Sequence, residues 1–215
     1  MAGHGRELTP DRPGAAAWIP EDHAVASLRA AAPDCRGCEL YADATHVVFS
    51  RGTAGSPLML VGEQPGDQED RTGEPFVGPA GRLLADAVDA AGIDRGDVYV
   101  TNAVKHFRHE ERGKRRIHKT PDTAHVVACH PWLEAELGTV APRVVVALGA
   151  TAGRAVFGRP VRVGAERGMV QEVGGRTVLL TTHPSAVLRL RGEPGFEEAL
   201  DGLVRDLQLA RSTAG

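Results

Sequence analysis

Aromatic side chains are scarce in this 215-residue chain, at 4%, with five Phe, two Trp and two Tyr. Any aromatic beside a polar motif therefore carries more weight than usual. No stretch approaches the roughly 18 apolar residues of a membrane-spanning helix, and the N-terminus lacks the charged-then-apolar order of a secretory signal. These absences argue against a membrane partner and lead us to expect a soluble, cytoplasmic protein. Neither sign of charge dominates. Lys+Arg 25 against Asp+Glu 28 leaves −3, so global charge does not announce a nucleic-acid binder and only a local patch could do so. Three cysteines, an odd count, exclude a fully paired disulfide framework and fit metal ligation or free thiols better.

What is present is an ordinary globular composition, 42% hydrophobic and 25% charged, with 26 Gly and 14 Pro marking many tight turns. Residues 1–21, rich in Gly, Pro, Ala and charge, read as a mobile tail, which leaves one domain over 22–211. A monomer is the default. Short apolar runs at Leu58–Val61, Val98–Val100, Val144–Leu148 and Val178–Leu180 alternate with segments of helical spacing at Gly81–Ala91, Asp122–Leu137, Thr151–Phe157 and Phe196–Ala210. A further short helix is expected over Asp22–Ala32, and a hairpin over Glu166–Leu180 turning at Gly174-Gly175. Strand–helix alternation predicts a three-layer α/β/α sandwich around a mainly parallel sheet. Its ligand site should lie beyond the carboxyl ends of the strands, in the loops carrying Glu63, Asn102, Thr151 and His183.

Several residue groups could carry chemistry. Cys35-Arg36-Gly37-Cys38 is a CxxC on a turn, and Cys129 and His106 could complete a zinc or iron–sulfur site. Glu63 lies in a Gly-Glu-Gln-Pro-Gly loop where a carboxylate can polarise a nucleophile or stabilise a cation. Asp67, Glu69 and Asp70 follow it and read as a solvated acidic face. Phe76, set among Gly and Pro, is either a core plug or a platform for a planar base. The Asn102 amide can pair with the edge of a pyrimidine or serve as a turn cap. His183 in His-Pro-Ser can donate to a carbonyl oxygen that gains charge, or cap its own loop. The segment Arg112-Gly113-Lys114-Arg115-Arg116-Ile117-His118-Lys119 concentrates five basic residues and reads as a flexible, phosphate-binding loop. His118 within it is either an accessory phosphate donor or a reactive group delivered by the loop.

In their order and strand-end placement these residues resemble the iron–sulfur branch of the uracil-DNA glycosylase superfamily. The similarity runs from Cys35 to the C-terminal helix and includes Pro75–Gly81, Thr101-Asn102 and His183-Pro184-Ser185. Gln64 where the ordinary members have Ala, His106 as the fourth ligand, and Lys114-Arg115-Arg116-Ile117-His118 resemble the X-type subfamily (UdgX), which stays covalently attached to the DNA it acts on. The resemblance implies a [4Fe–4S] cluster on Cys35, Cys38, His106 and Cys129. It also implies stacking of a flipped uracil on Phe76, base reading by Asn102, and a pocket completed by the backbone of Gln64 and the side chain of Asp67. Glu63, His118 and His183 are the implied catalytic residues, with Lys114, Arg115, Arg116 and Lys119 facing DNA. The implied substrate is uracil-containing DNA, single-stranded by preference, with free uracil as product. A hydrolytic, multiple-turnover glycosylase and a non-catalytic iron–sulfur electron carrier or nucleotide-binding protein are the alternatives.

Overall fold

The computed structural model describes residues 12–113 and 115–215. Its strands are β1 (Ser50–Arg51), β2 (Leu58–Gly62), β3 (Val98–Asn102), β4 (His109–Arg112), β5 (Arg115–His118), β6 (Val144–Leu148), β7 (Val170–Val173) and β8 (Arg176–Thr181). The helices are α1 (Val25–Ala31), α2 (Asp67–Thr72), α3 (Pro79–Ala90), α4 (Thr123–Val140), α5 (Gly149–Phe157), α6 (Val163–Glu166), α7 (Pro184–Leu188) and α8 (Phe196–Ala214). Six strands form one sheet in the order β1-β3-β2-β6-β8-β7, parallel at its centre and antiparallel at both edges. β4 and β5 pair only with each other.

The central strands β2, β3 and β6 are buried along their whole length, as expected of apolar strands covered on both faces. The pleat sends Met59, Val61, Val145 and Ala147 into one core with Leu28 of α1 and Trp132 and Leu133 of α4. Leu58, Leu60, Val144 and Val146 enter the opposite core with Leu83 and Leu84 of α3 and Leu203 and Leu207 of α8. Helices thus cover both faces, and the expected α/β/α sandwich is the architecture found.

Strand order reverses between β2 and β6: β3 lies on one side of β2, and the chain then crosses to the other. In sheets of this kind the ligand site lies at that switch point beyond the strand ends, where Glu63 follows β2 and α5 begins.

Three expectations need correction. Residues 12–21 of the expected tail pack against the domain: Ala15 is fully buried, Gly14 N donates to Gly37 O at 3.0 Å, and Arg12 pairs with Glu39 and Asp122. Residues 1–11 lie outside the described residues. The basic segment is not a flexible loop but the β4–β5 hairpin, with His109 opposite His118 and Arg112 opposite Arg115. The acidic stretch is α2, in which Asp70 is wholly buried and Glu69 nearly so. Glu69 accepts from Gly66 N at 3.2 Å and Gly78 N at 2.8 Å, tying the start of α2 to the far end of the loop that carries Phe76.

Candidate active site at the carboxyl ends of the strands

Gly62 ends β2 opposite Asn102, the last residue of β3. A Cβ on Gly62 would collide with the Asn102 amide oxygen and come within 2.7 Å of the Phe76 ring. Only glycine therefore lets the ring and the amide converge on one spot. Phe76 has φ +57°, a left-handed conformation that costs a non-glycine residue about 1–3 kcal/mol. Gly81 permits it, because a side chain there would strike the Phe76 carbonyl. Asn102 is buried, and its amide makes no hydrogen bond among the described residues, so its donor and acceptor remain available beside an aromatic face.

Glu63, one residue beyond β2, accepts from Thr151 Oγ1 at 2.5 Å, a bond that spans the switch point. Its other oxygen lies 3.5 Å from His118 Nε2, at the end of β5. The carboxylate is fixed on one side and can orient or deprotonate an imidazole on the other. His183 Nδ1 accepts from Ser185 N at 3.1 Å and lies 2.8 Å from Ser185 Oγ. A backbone N–H can only donate, so the neutral ring carries its proton on Nε2, where it can donate to a ligand. Close approach of the His183 Cβ, 2.9 Å from the place a Cβ would occupy, together with φ +87°, requires glycine at Gly149.

Burial, then repulsion from His118 and Arg189, brings the His183 pKa down to about 4. The folded state thus binds fewer protons at this site than the unfolded chain, whose histidine titrates near 6.5. The contribution is fully present above about pH 6.5 and is lost as pH falls toward 4. A His183→Asn variant is expected to lose less stability than the parent over that window and to track it above pH 7. Melting temperatures measured from pH 4.5 to 8 check this, and parallel profiles throughout would contradict it.

The hairpin is held in place by side chains that sequence reasoning put elsewhere. Gln64, whose backbone was expected to line a base pocket, spends its side-chain amide on the hairpin's two ends. Oε1 accepts from Arg108 N at 2.9 Å, and Nε2 donates to Arg108 O at 3.2 Å and Lys119 O at 3.0 Å. Arg116, assigned to DNA, donates to Asp67 Oδ1 and Asp70 Oδ2, both at 2.6 Å, and its side chain is only 14% exposed. Asp67, assigned to the same pocket, has its other oxygen 2.9 Å from Arg71, so both its oxygens are engaged within the protein. Lys119 pairs with Glu110 at 2.6 Å, whereas Arg115 is exposed; Lys114 lies outside the described residues. Phe107, wholly buried, lies beneath His109, His118 and Arg116, at 5.0, 6.0 and 5.5 Å. Thr151, Ser185, Asp70 and Phe107 were not singled out for these roles. Thr151 and Ser185 were within reach, since both fall in the strand-end loops.

Cys35, Cys38 and Cys129 are buried free thiols. Burial pushes the Cys38 thiol up to about 11 and Cys129 up to about 12, and the charges of Cys35 and Cys38 add to the shift at Cys129. Trp132 Nε1 donates to Cys35 Sγ at 3.3 Å, and Lys105 N donates to Cys129 Sγ at the same distance. His106 follows Lys105 directly and is buried close enough to Arg36, between Cys35 and Cys38, to be repelled by it. Among the described residues, no three His, Cys, Asp or Glu side chains gather closely enough for a single metal ion. Donors at the corners of a multi-iron cube stand farther apart, and three thiols with a neutral imidazole match that donor chemistry.

The model of the uracil-DNA glycosylase superfamily matches residues 49–208. The chain is 38% identical over 180 residues to the type-4 uracil-DNA glycosylase of Thermotoga maritima, covering 83% of this chain and 88% of the relative. It is 37% identical over 171 residues to the type-4 enzyme of Pyrobaculum aerophilum, covering 74% and 84%. Against that of Archaeoglobus fulgidus it is 35% identical over 162 residues, covering 72% and 78%. The matched span contains every strand of the sheet and each strand-end residue described above, and the chain belongs to the uracil-DNA glycosylase superfamily.

Proposed function

We propose that the protein excises uracil from single-stranded DNA and stays covalently bound to the product through His118. Uracil release is supported by the type-4 uracil-DNA glycosylase relatives. Covalent retention is carried by one observation: a hairpin docked on α2 and Gln64 holds the His118 imidazole 3.5 Å from a Glu63 carboxylate that Thr151 anchors.

In this reading a flipped uracil stacks on Phe76 and pairs with the Asn102 amide. Backbone beside Gln64 closes the pocket. The N-glycosidic bond breaks as His183 Nε2–H donates to the uracil O2, and the base leaves with the bonding electron pair. The unprotonated nitrogen of His118 bonds to C1′, giving an imidazolium that passes its proton to Glu63 and from there to the departing base. Neutral alkylated imidazole is a poor leaving group, so the step that would return free enzyme is missing. Arg115, which is exposed, and Lys114 would face the phosphates. Cys35, Cys38, His106 and Cys129 would hold a [4Fe–4S] cluster, which would tie the N-terminal segment to α4 as a structural element.

Uracil released per protein tests this directly. With excess uracil-containing oligonucleotide the count is expected to stop near one per protein, and continued linear release would support a hydrolytic glycosylase. Gly62→Ala is expected to lower uracil release by at least about 100-fold, on the scale of misplaced binding groups. The fold should survive, because the new Cβ meets only the ends of two side chains. Unaltered release by a folded Gly62→Ala variant would move the base-binding site away from Phe76 and Asn102.

A further inference from the structure

Lys105 and Glu136 form an ion pair at 2.5 Å whose side chains are 1% and 0% exposed. Nothing in the chemistry above uses it. The Lys105 ammonium has three protons and three acceptors: Glu136 Oε2, Thr101 Oγ1 at 2.6 Å and the Asn102 carbonyl at 2.9 Å. Glu136 Oε1 accepts from Tyr99 OH at 2.9 Å and lies 2.8 Å from Thr101 Oγ1. All three ammonium protons and both carboxylate oxygens have partners, which a buried charge pair requires if it is not to destabilise the core.

The pair sits where the sheet runs out. β1 begins at Ser50, opposite Thr101, so its pairing reaches no further along β3 and the next carbonyl, that of Asn102, has no partner on β1. Lys105 supplies one, and its own backbone is bonded at both ends, N to Cys129 Sγ at 3.3 Å and O to Val48 N at 2.9 Å. Holding the Asn102 carbonyl fixes the peptide plane after Asn102 and so steadies the backbone from which its side chain projects. An apolar pair would fill the same space at less desolvation cost. It would, however, leave that carbonyl without the donor that Lys105 supplies.

We propose that Lys105, fixed by Glu136, is a positioning residue that aims the Asn102 amide at the base. This rests on the reading of Asn102 as the base-pairing residue. The test is a cycle in the full-length protein. Lys105→Met/Glu136→Leu removes both charges together, so neither is left buried alone. We expect it to fold, to bind uracil-containing DNA with little change, and to lower single-turnover uracil release about 30-fold, within the range of coupled neighbours. In an Asn102→Ala background the same pair of substitutions is expected to cost less than about twofold further.

An equal loss in both backgrounds, or wild-type release by the folded variant, would overturn the proposal. If Lys105→Met/Glu136→Leu does not fold, Lys105→Met/Glu136→Gln keeps acceptors for Tyr99 and Thr101 and is read in the same cycle. Undiminished release by Asn102→Ala alone would remove the base-reading role itself, an outcome visible in that single variant before the cycle is closed.

Discussion

Replacing His118 with alanine is expected to reduce the denaturation-resistant protein–DNA species to background while uracil release continues. Phe76, Asn102, Glu63 and His183 belong to the sheet ends and their loops, not to the hairpin, so the base is still held when the imidazole is gone. The space it vacates admits water, which Glu63, fixed by Thr151 at 2.5 Å, can orient toward C1′. The variant should therefore behave as a slow hydrolytic enzyme, and adding His183→Ala should lower that turnover by a further ~10²–10³-fold, the scale of losing one charge-stabilising donor. A denaturing gel with uracil-containing oligonucleotide, run alongside an assay of free uracil, separates the two effects. A stable adduct formed by His118→Ala would end the nucleophile assignment.

The second large effect concerns docking. Arg116→Ala removes the guanidinium that joins the hairpin to Asp67 and Asp70 and lies 5.5 Å over the Phe107 ring. Gln64 still holds the hairpin's ends, so the imidazole is displaced by a small distance rather than released. Displacements of about an ångström cost reacting groups on the order of 10²-fold. Adduct formation at saturating DNA is expected to fall by about that factor, with uracil release reduced far less. A phosphate contact would behave differently. Its loss would weaken DNA binding and lower the salt dependence by about one charge, while adduct formation at saturation would recover. Rates measured at saturating DNA and at two salt concentrations distinguish the two roles.

Much of the fold was legible because buried parallel strands announce themselves. Val144–Leu148 is five apolar residues between a turn and a glycine, and it became β6 with the same bounds. Leu58 and Val98 began strands as expected, and the extra residues, Gly62 and then Thr101-Asn102, are the ones that form the site. The N-terminal segment misled because Gly, Pro and Ala were counted as signs of mobility. Ala15 and Gly14 are small so that they can pack against Gly37, a tertiary reason that composition does not carry.

The basic segment misled in a different way. A run of cations reads as solvated until its counter-charges are located, and those of Arg116 lie 46 and 49 residues earlier on α2. Asp70 and Arg116 each looked exposed when taken alone, and in the structure they form an ion pair with side chains 0% and 14% exposed. The Lys105–Glu136 pair escaped for the same reason: neither residue belongs to a local pattern, and their partnership joins the segment after β3 to α4.

The claim on which the rest depends is a bond between His118 and C1′ of the DNA sugar. The direct measurement is to incubate the protein with a single-stranded oligonucleotide carrying one uracil, denature it, digest both components, and sequence the cross-linked peptide by mass spectrometry. One modified residue is expected, His118, carrying the deoxyribose with uracil lost. A cross-link on any other side chain, or abasic oligonucleotide accumulating beyond the amount of protein with no cross-linked peptide, would contradict it.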